Sequence, residues 1–454
     1  MLQGKTTPRK RGATITLESV LAMLLGLSVS TGVVYVAQIG NTPVYIGYAV
    51  GIIALLVLAF KSPAEVIHSV EKIDRSVAVF CAVVAFSIVP CALYCIAGGL
   101  PESALETVLK GFVVLFSGVV VYIVSIALRR YVKLMIAGVS VGLFLNVIFS
   151  LIQQRAFSLG SYFSLYEYFP QEAFVLPAQW GVNMPMGAHA IYSFRAQGLF
   201  LEPSHMMVFF VAWALIAFVA TKGVIPKGIL ALGVLYCSIQ SFSPNLLFIL
   251  LEVVSLLVIT RSAYGTTTKC APFLEKRLHH ASVLSVVVVF AFAVIGLVIF
   301  GQSISGAIQQ MLSTLGDLDP STTMDTGTLD RMSAMTSSLS LVLQYPFGGG
   351  WNTESIILTS AFGTESFASH SLAIRLLLEV GFVGFAAYLW VMVRHSAAAF
   401  RSSDGLLAIA VCLAVVGLAV AQCLNGTTLL PYVWLLLGVA KAMDISVKEK
   451  SSER

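Results

Sequence analysis

Roughly twelve separate runs of about 20 apolar residues divide this chain, and a run of that length crosses a hydrocarbon slab of about 30 Å when it is helical. Hydrocarbon offers no water to satisfy backbone N–H and C=O groups, so each run is read as a membrane helix. The 454 residues are 58% hydrophobic and only 11% charged. That leaves too little polar surface to cover a soluble core of this size. The expected fold is an all-α polytopic membrane protein, one integral membrane domain over 1–454, with spans near 13–38, 43–60, 76–98, 107–128, 131–152, 199–220, 225–240, 244–260, 281–300, 371–393, 405–423 and 428–443.

Charge placement orients these spans. With both termini cytoplasmic, 22 of the 27 Lys and Arg residues fall in inner segments, as the positive-inside rule requires. An odd number of helices would put the basic tail outside and break this pattern, so an even number is favoured. The five cations left for the outer side are Lys110, Arg155, Arg195, Arg331 and Arg375. They oppose the bias and need another reason to be there, for which an anionic ligand is the natural candidate. The basic start followed by an apolar run is too long for a signal peptide and lacks a small-residue cleavage site, so it reads as a retained first helix.

No internal repeat, low-complexity stretch or soluble domain is visible. Two outer segments are long, 153–198 and 301–370, and their aromatic, Gly and Pro content is that of ordered structure. Neither carries a cysteine. Disulfides are therefore not expected to hold them, and Cys91 and Cys95, one helical turn apart, read as two buried thiols.

Three stretches carry the residue types that chemistry needs. Arg195-Ala196-Gln197-Gly198 leads through Glu202-Pro203-Ser204 into the sixth span. Pro203 suits a first helical turn, where its missing N–H costs nothing, and Arg195 sits near a helix N-terminus, which favours anions. The bland alternative is an arginine snorkelling to lipid headgroups with Glu202 as its local partner. Arg331 is the single base between residues 301 and 370, against six acids. It is either paired for structure, with Asp330 nearby, or aimed at a ligand.

The third stretch, Ser369-His370-Ser371 through Glu379-Val380-Gly381, opens the tenth span. Ser369 is the expected N-cap, which would put His370 in the first turn, where an imidazolium is disfavoured and a neutral imidazole can accept a proton. A lone histidine there is otherwise an interfacial polar anchor. Arg375 and Glu379, four apart, are expected to pair within the membrane, mainly for structure. Asp317 and Asp319 make a weak metal signal with no further ligand set. Gly348 to Gly350 lacks the strand-to-helix context of a phosphate cradle and reads as a flexible turn.

Taken together, these stretches resemble the bacterial O-antigen polymerase and O-antigen ligase superfamily. The matching pieces are Arg-x-x-Gly-x-x-x-Glu-Pro-Ser from Arg195 to Ser204, the Arg331 segment ending in Pro346-Phe347-Gly348, and His-x8-Glu-x-Gly-x-x-Gly from His370 to Gly384. Ligases of this group often carry Asn after the histidine, where this chain has Ser371. The Glu-Pro-Ser run is closer to the polymerases.

The resemblance implies a cofactor-free, metal-independent, inverting glycosyltransferase of the bacterial inner membrane. It would take a glycan from an undecaprenyl diphosphate carrier to a sugar hydroxyl on the periplasmic face. Arg195 and Arg331 would stabilise the leaving diphosphate and His370 would serve as base, with Glu202, Arg375 and Glu379 in support. The implied partners are the lipid-linked glycan and the bilayer, with no nucleic acid. Whether a chain-length regulator binds is open. The alternatives are a ligase passing polymer to the lipid A core, and a transporter of lipid-linked sugars; transporters of this size usually show repeated halves and ionisable or helix-breaking residues near the midplane, whereas here no repeat is visible and the charges gather at the outer surface.

Overall fold

The computed structural model describes residues 15–32, 35–39, 42–159, 196–200, 203–241, 243, 245–266, 335, 337–363, 369, 371–402, 405–424 and 429–452. The first part comprises α1 (Leu17–Ser28), the antiparallel hairpin β1 (Tyr35–Ile39) and β2 (Thr42–Tyr45), α2 (Ile46–Lys61), α3 (Pro63–Glu71), α4 (Arg75–Phe86) and α5 (Ile88–Ile96). There follow α6 (Ser103–Ala127), α7 (Val132–Ser158), α8 (Pro203–Ala220), α9 (Val224–Gln240) and α10 (Leu246–Thr266). The last part holds the short α11 (Glu354–Phe362), then α12 (Leu372–Phe400), α13 (Leu406–Leu424) and α14 (Pro431–Ser452).

Among the described residues, six stretches are long and apolar enough to cross a membrane: Arg75–Ile96, Ser103–Ala127, Arg129–Ser158, Pro203–Ala220, Leu372–Phe400 and Leu406–Cys423. The protein is an all-α polytopic membrane protein, with one small hairpin among the described residues. The expected span at 281–300 lies outside those residues.

The first span differs from its expectation of 13–38. Thr16 and Ser19 form a reciprocal capping box that starts α1, but the helix stops at Ser28 after 12 residues and the chain turns into β1. Gly32 is a poor helix former, and Thr31 and the Val-Val-Tyr-Val run after Gly32 favour strand over helix; a hydropathy window does not register that switch. The third span also has a break, at Ser87 between α4 and α5. Cys91 and Cys95 within it are both free, Cys91 buried and Cys95 half-buried.

The core gathers around α8 and the first half of α14, residues 431–440, which are buried on nearly every side, as expected of helical segments that are apolar all round. Close approach is made by small residues. Gly26 of α1 sits on the backbone of Met135 in α7, and Gly138 of α7 sits on that of Met23, so this pair meets backbone to backbone.

The two ends of the bundle carry different charge. At one end Lys61 pairs with Glu18 at 2.6 Å, Arg129 with Glu65 and Glu449, Lys441 with Asp74 at 3.1 Å, and Lys448 with Asp444 at 2.7 Å. All these bases belong to the set that the sequence assigned to the inner side. The opposite end holds Arg375, the start of α8 and the hairpin.

Candidate functional site

At the end opposite this basic cluster, the chain from Tyr345 to Thr353 enters the bundle as an irregular loop and stitches itself to α12. The reason lies in Gly381, whose φ of 68° and ψ of −171° interrupt the helix. In an unbroken helix the Phe382 N–H would donate to the Leu378 carbonyl. Here it donates instead to the Pro346 carbonyl at 3.2 Å, while Gly349 N–H donates to Leu378 O at 2.7 Å and Gly350 N–H to Glu379 O at 2.9 Å. The loop thus replaces the helical bonds that the break removes, which non-helical backbone at membrane depth requires. A Cβ at Gly381 would overlap the Pro346 carbonyl, and one at Gly348, also at positive φ, would overlap the Glu379 carbonyl. Gly348 to Gly350 do form a turn, but a docked one.

Neighbouring side chains fix the loop further. Trp351 donates from its indole N–H to Gly111 O at 3.1 Å and from its backbone N–H to Ser87 Oγ at 3.0 Å. This gives the break at Ser87 a partner and ties α4–α5, α6 and α12 to one loop. Gly381→Ala is expected to cost about 3 kcal/mol, because only glycine tolerates that conformation; an unfolding midpoint equal to wild type in detergent would contradict the docked arrangement.

Immediately beyond the loop lies a polar cluster. Arg375 Nε donates to Glu379 Oε1 at 2.9 Å and Nη2 to Asn352 Oδ1 at 2.9 Å, with Glu354 Oε2 3.8 Å from Nε. Asn352 takes a positive φ of 68° to offer that oxygen. Glu379 is fully buried and also accepts from the Glu354 backbone N–H at 3.3 Å. Glu354 Oε1 in turn accepts the Ser369 N–H at 2.9 Å and the Ser369 hydroxyl. One guanidinium therefore lies between two carboxylates that satisfy it. The arrangement suits Arg375 to hold positions in place, and the pairing with Glu379 is the one that the spacing of four led the sequence reading to expect.

Ser369 is not the N-cap of this helix. Glu354 already engages its side chain, and Ser371 takes the capping role, accepting from the Ile374 N–H at 3.4 Å and donating to Cys423 O at 2.6 Å. The helix starts at Leu372, so position 370 precedes the cap instead of lying in the first turn. Arg195, Glu202, Arg331 and His370 themselves lie outside the described residues, as do Asp317, Asp319 and Asp330.

What is described is how the chain beside two of them is anchored. Gln153 receives the Gly198 N–H and donates to the Gly198 carbonyl, both at 3.1 Å. Asn146 Oδ1 accepts from Leu199 N–H at 2.8 Å, and Ala196 N–H donates to Gln240 O at 3.0 Å. Gly198 has a φ of 57°, and a Cβ there would crowd Asn146 and Met206. Pro203 opens α8, in the first-turn position expected of it. The segment next to Arg195 is thus held by α7 and α9, and Phe200 reaches Tyr432 at the start of α14, 6.5 Å between ring centroids. Tyr48 donates to Leu429 O at 2.7 Å just before that helix, and Ser371 to Cys423 near the end of α13. The chain beside Arg195 and the chain beside His370 share one end of the bundle.

Sequence reasoning did not single out Asn352 or Glu354. The available signal is an acid in the first turn of a short helix, three residues after a tryptophan, but nothing local connects Glu354 to Ser369. No protein-family model matches this chain, and no curated protein matches it.

Proposed function

We propose that this protein is a membrane glycosyltransferase of the O-antigen or exopolysaccharide polymerase type, with twelve spans, both termini in the cytoplasm and its active site at the periplasmic end. One observation carries this reading: the segments bearing two of the three motifs, Ala196–Phe200 and Ser369 with Ser371, are each pinned by buried hydrogen bonds at the same end of the bundle. That end lies opposite the basic cluster, and the positive-inside rule puts the basic cluster in the cytoplasm.

In this reading the donor is a glycan on undecaprenyl diphosphate. The acceptor hydroxyl oxygen attacks the anomeric carbon as the bond to the diphosphate oxygen breaks, inverting that centre. The hydroxyl proton goes to the His370 imidazole, since the hydroxyl is far too weak an acid to lose it unaided. The bonding electrons leave with the diphosphate, whose growing charge Arg195 and Arg331 stabilise through planar paired donors. Much of the acceleration comes from holding two lipid-borne substrates in line. Glu354, Arg375 and Glu379 support the chain that carries His370.

The test is transfer by the purified protein in lipid, using a lipid-linked glycan and a chelator. Lengthening of the glycan supports a polymerase, whereas movement of the glycan across the bilayer without any new glycosidic bond would refute the reading in favour of transport. Arg331→Lys is expected to lower transfer at least about 10²-fold, because lysine keeps the charge but loses the fork. Product of normal length and yield from that variant would rule out diphosphate recognition by Arg331. Deleting the gene and running the surface glycan on a gel separates polymerase from ligase: a single repeat on the core indicates polymerase, and polymer retained on its carrier indicates ligase.

A further inference from the structure

At the basic end, an open cavity of about 410 Å³ lies where the turn between α3 and α4 meets the last third of α12 and the middle of α14. Four cations line it, Lys72, Arg75, Arg394 and Lys441, against two acids, Glu71 and Asp74. The acids do not quench the cavity equally. Glu71 is turned towards α3, 4.0 Å from His68. Asp74 is buried in the wall, where Oδ1 accepts the N–H and hydroxyl of Ser76 at 3.1 and 2.9 Å and Oδ2 receives Lys441 at 3.1 Å and Arg394 at 3.3 Å. Burial works to raise the Asp74 pKa, but the Ser76 N–H, Arg394 and Lys441 outweigh it and hold the carboxyl well below the usual range. Asp74 therefore serves as a fixed anion behind the cavity and orients two of its cations. Arg394, whose side chain is 44% exposed, keeps its remaining donors for the cavity. Lys72 and Arg75 are exposed and make no ion pair among the described residues.

Apolar surface beside these charges is uncovered. Trp390 lines the cavity and is 42% exposed, and Val393, next to Arg394, is 66% exposed. Helix α3 bends away from α2 by 119° and leaves Ile67 61% exposed. Exposed aliphatic and tryptophan surface beside guanidinium and ammonium groups is the pattern of the headgroup level of a bilayer, where apolar faces meet lipid tails and cations meet phosphate.

We infer that this cavity binds the phosphate of an anionic glycerophospholipid, with Arg75, Arg394, Lys441 and Lys72 around the phosphate and Trp390 against the glycerol and upper chains. The site is at the opposite end of the bundle from the proposed transfer centre and does not rest on that reading. A zwitterionic lipid brings its own cation to the phosphate and meets four like charges, so it binds less well.

The experiment is thermal unfolding of the full chain in detergent micelles, with phosphatidylglycerol, phosphatidylcholine of the same chains, or inorganic phosphate added. Phosphatidylglycerol is expected to raise the unfolding temperature by about 5 °C at saturation, with little change from the other two. The Lys72→Gln, Arg75→Gln double variant, which leaves the Asp74 contacts intact, is expected to lose most of that rise. An Arg130→Gln, Lys133→Gln variant, matched in charge but away from the cavity, keeps it. Equal shifts with phosphatidylcholine, an equal shift with inorganic phosphate alone, or a full response from the Lys72, Arg75 variant would each overturn the assignment.

Discussion

His370→Ala is expected to lower glycan transfer by about 10²- to 10⁴-fold, the usual contribution of a positioned general base, while the protein still folds. The separation of the two effects follows from how the chain on either side is held. Ser369 is tied to Glu354, and Ser371 caps α12 and donates to Cys423. None of these bonds uses the residue between them. An alanine at 370 therefore removes the proposed proton acceptor without burying a charge, and leaves these bonds in place. The paired measurement is initial rate of transfer and unfolding temperature of the same preparation. Activity near wild type would remove the histidine from the chemistry, and a large fall in unfolding temperature would make it structural.

Arg375→Met is expected to cost about 3–5 kcal/mol of stability, the range for removing one partner of a buried ion pair. Arg375 is the cation that Glu379 and Glu354 share, and Glu379 is fully buried. Without it, two carboxylates face each other with only Asn352 and backbone donors nearby. Adding Glu379→Gln to Arg375→Met removes one of the two uncompensated charges, the fully buried one, so the double variant should recover part of the loss, and a double-mutant cycle measures how much of the cost is the pair itself. An Arg375→Met protein that unfolds at the wild-type temperature would mean the cluster does not hold this end together. Transfer by the double variant should stay low even where stability returns, because Glu354 then lacks the neighbour that fixes its grip on Ser369.

The contrast between these residues shows what was legible in the sequence. The pairing of Arg375 with Glu379 is legible because a spacing of four puts them side by side on any helix. Pro203 was placed at a helix start for a similarly local reason. Most described helices fall within a few residues of their apolar runs, because the bilayer dictates their length. The errors came where one local signal competed with another or with a distant partner. Hydropathy carried the first span past Ser28, although the residues after it prefer strand. Ser369 looked like a cap until Glu354, fifteen positions earlier, is seen to occupy it. The three glycines read as loose because their mate, the break at Gly381, lies about thirty residues away, and nothing in either stretch names the other.

That mating has a mechanical consequence. Because the loop supplies the hydrogen bonds that α12 lacks at Gly381, the helix is two rigid rods with a joint, and the joint is clamped by a piece of the chain that also grips Ser87 and Gly111. The loop holds both rods, by Leu378 and Glu379 before the break and by Phe382 after it, so a displacement of the loop acts on the joint from both sides. The capping Ser371 stands at the far end of the first rod, so any change of angle at the joint shifts that end the most.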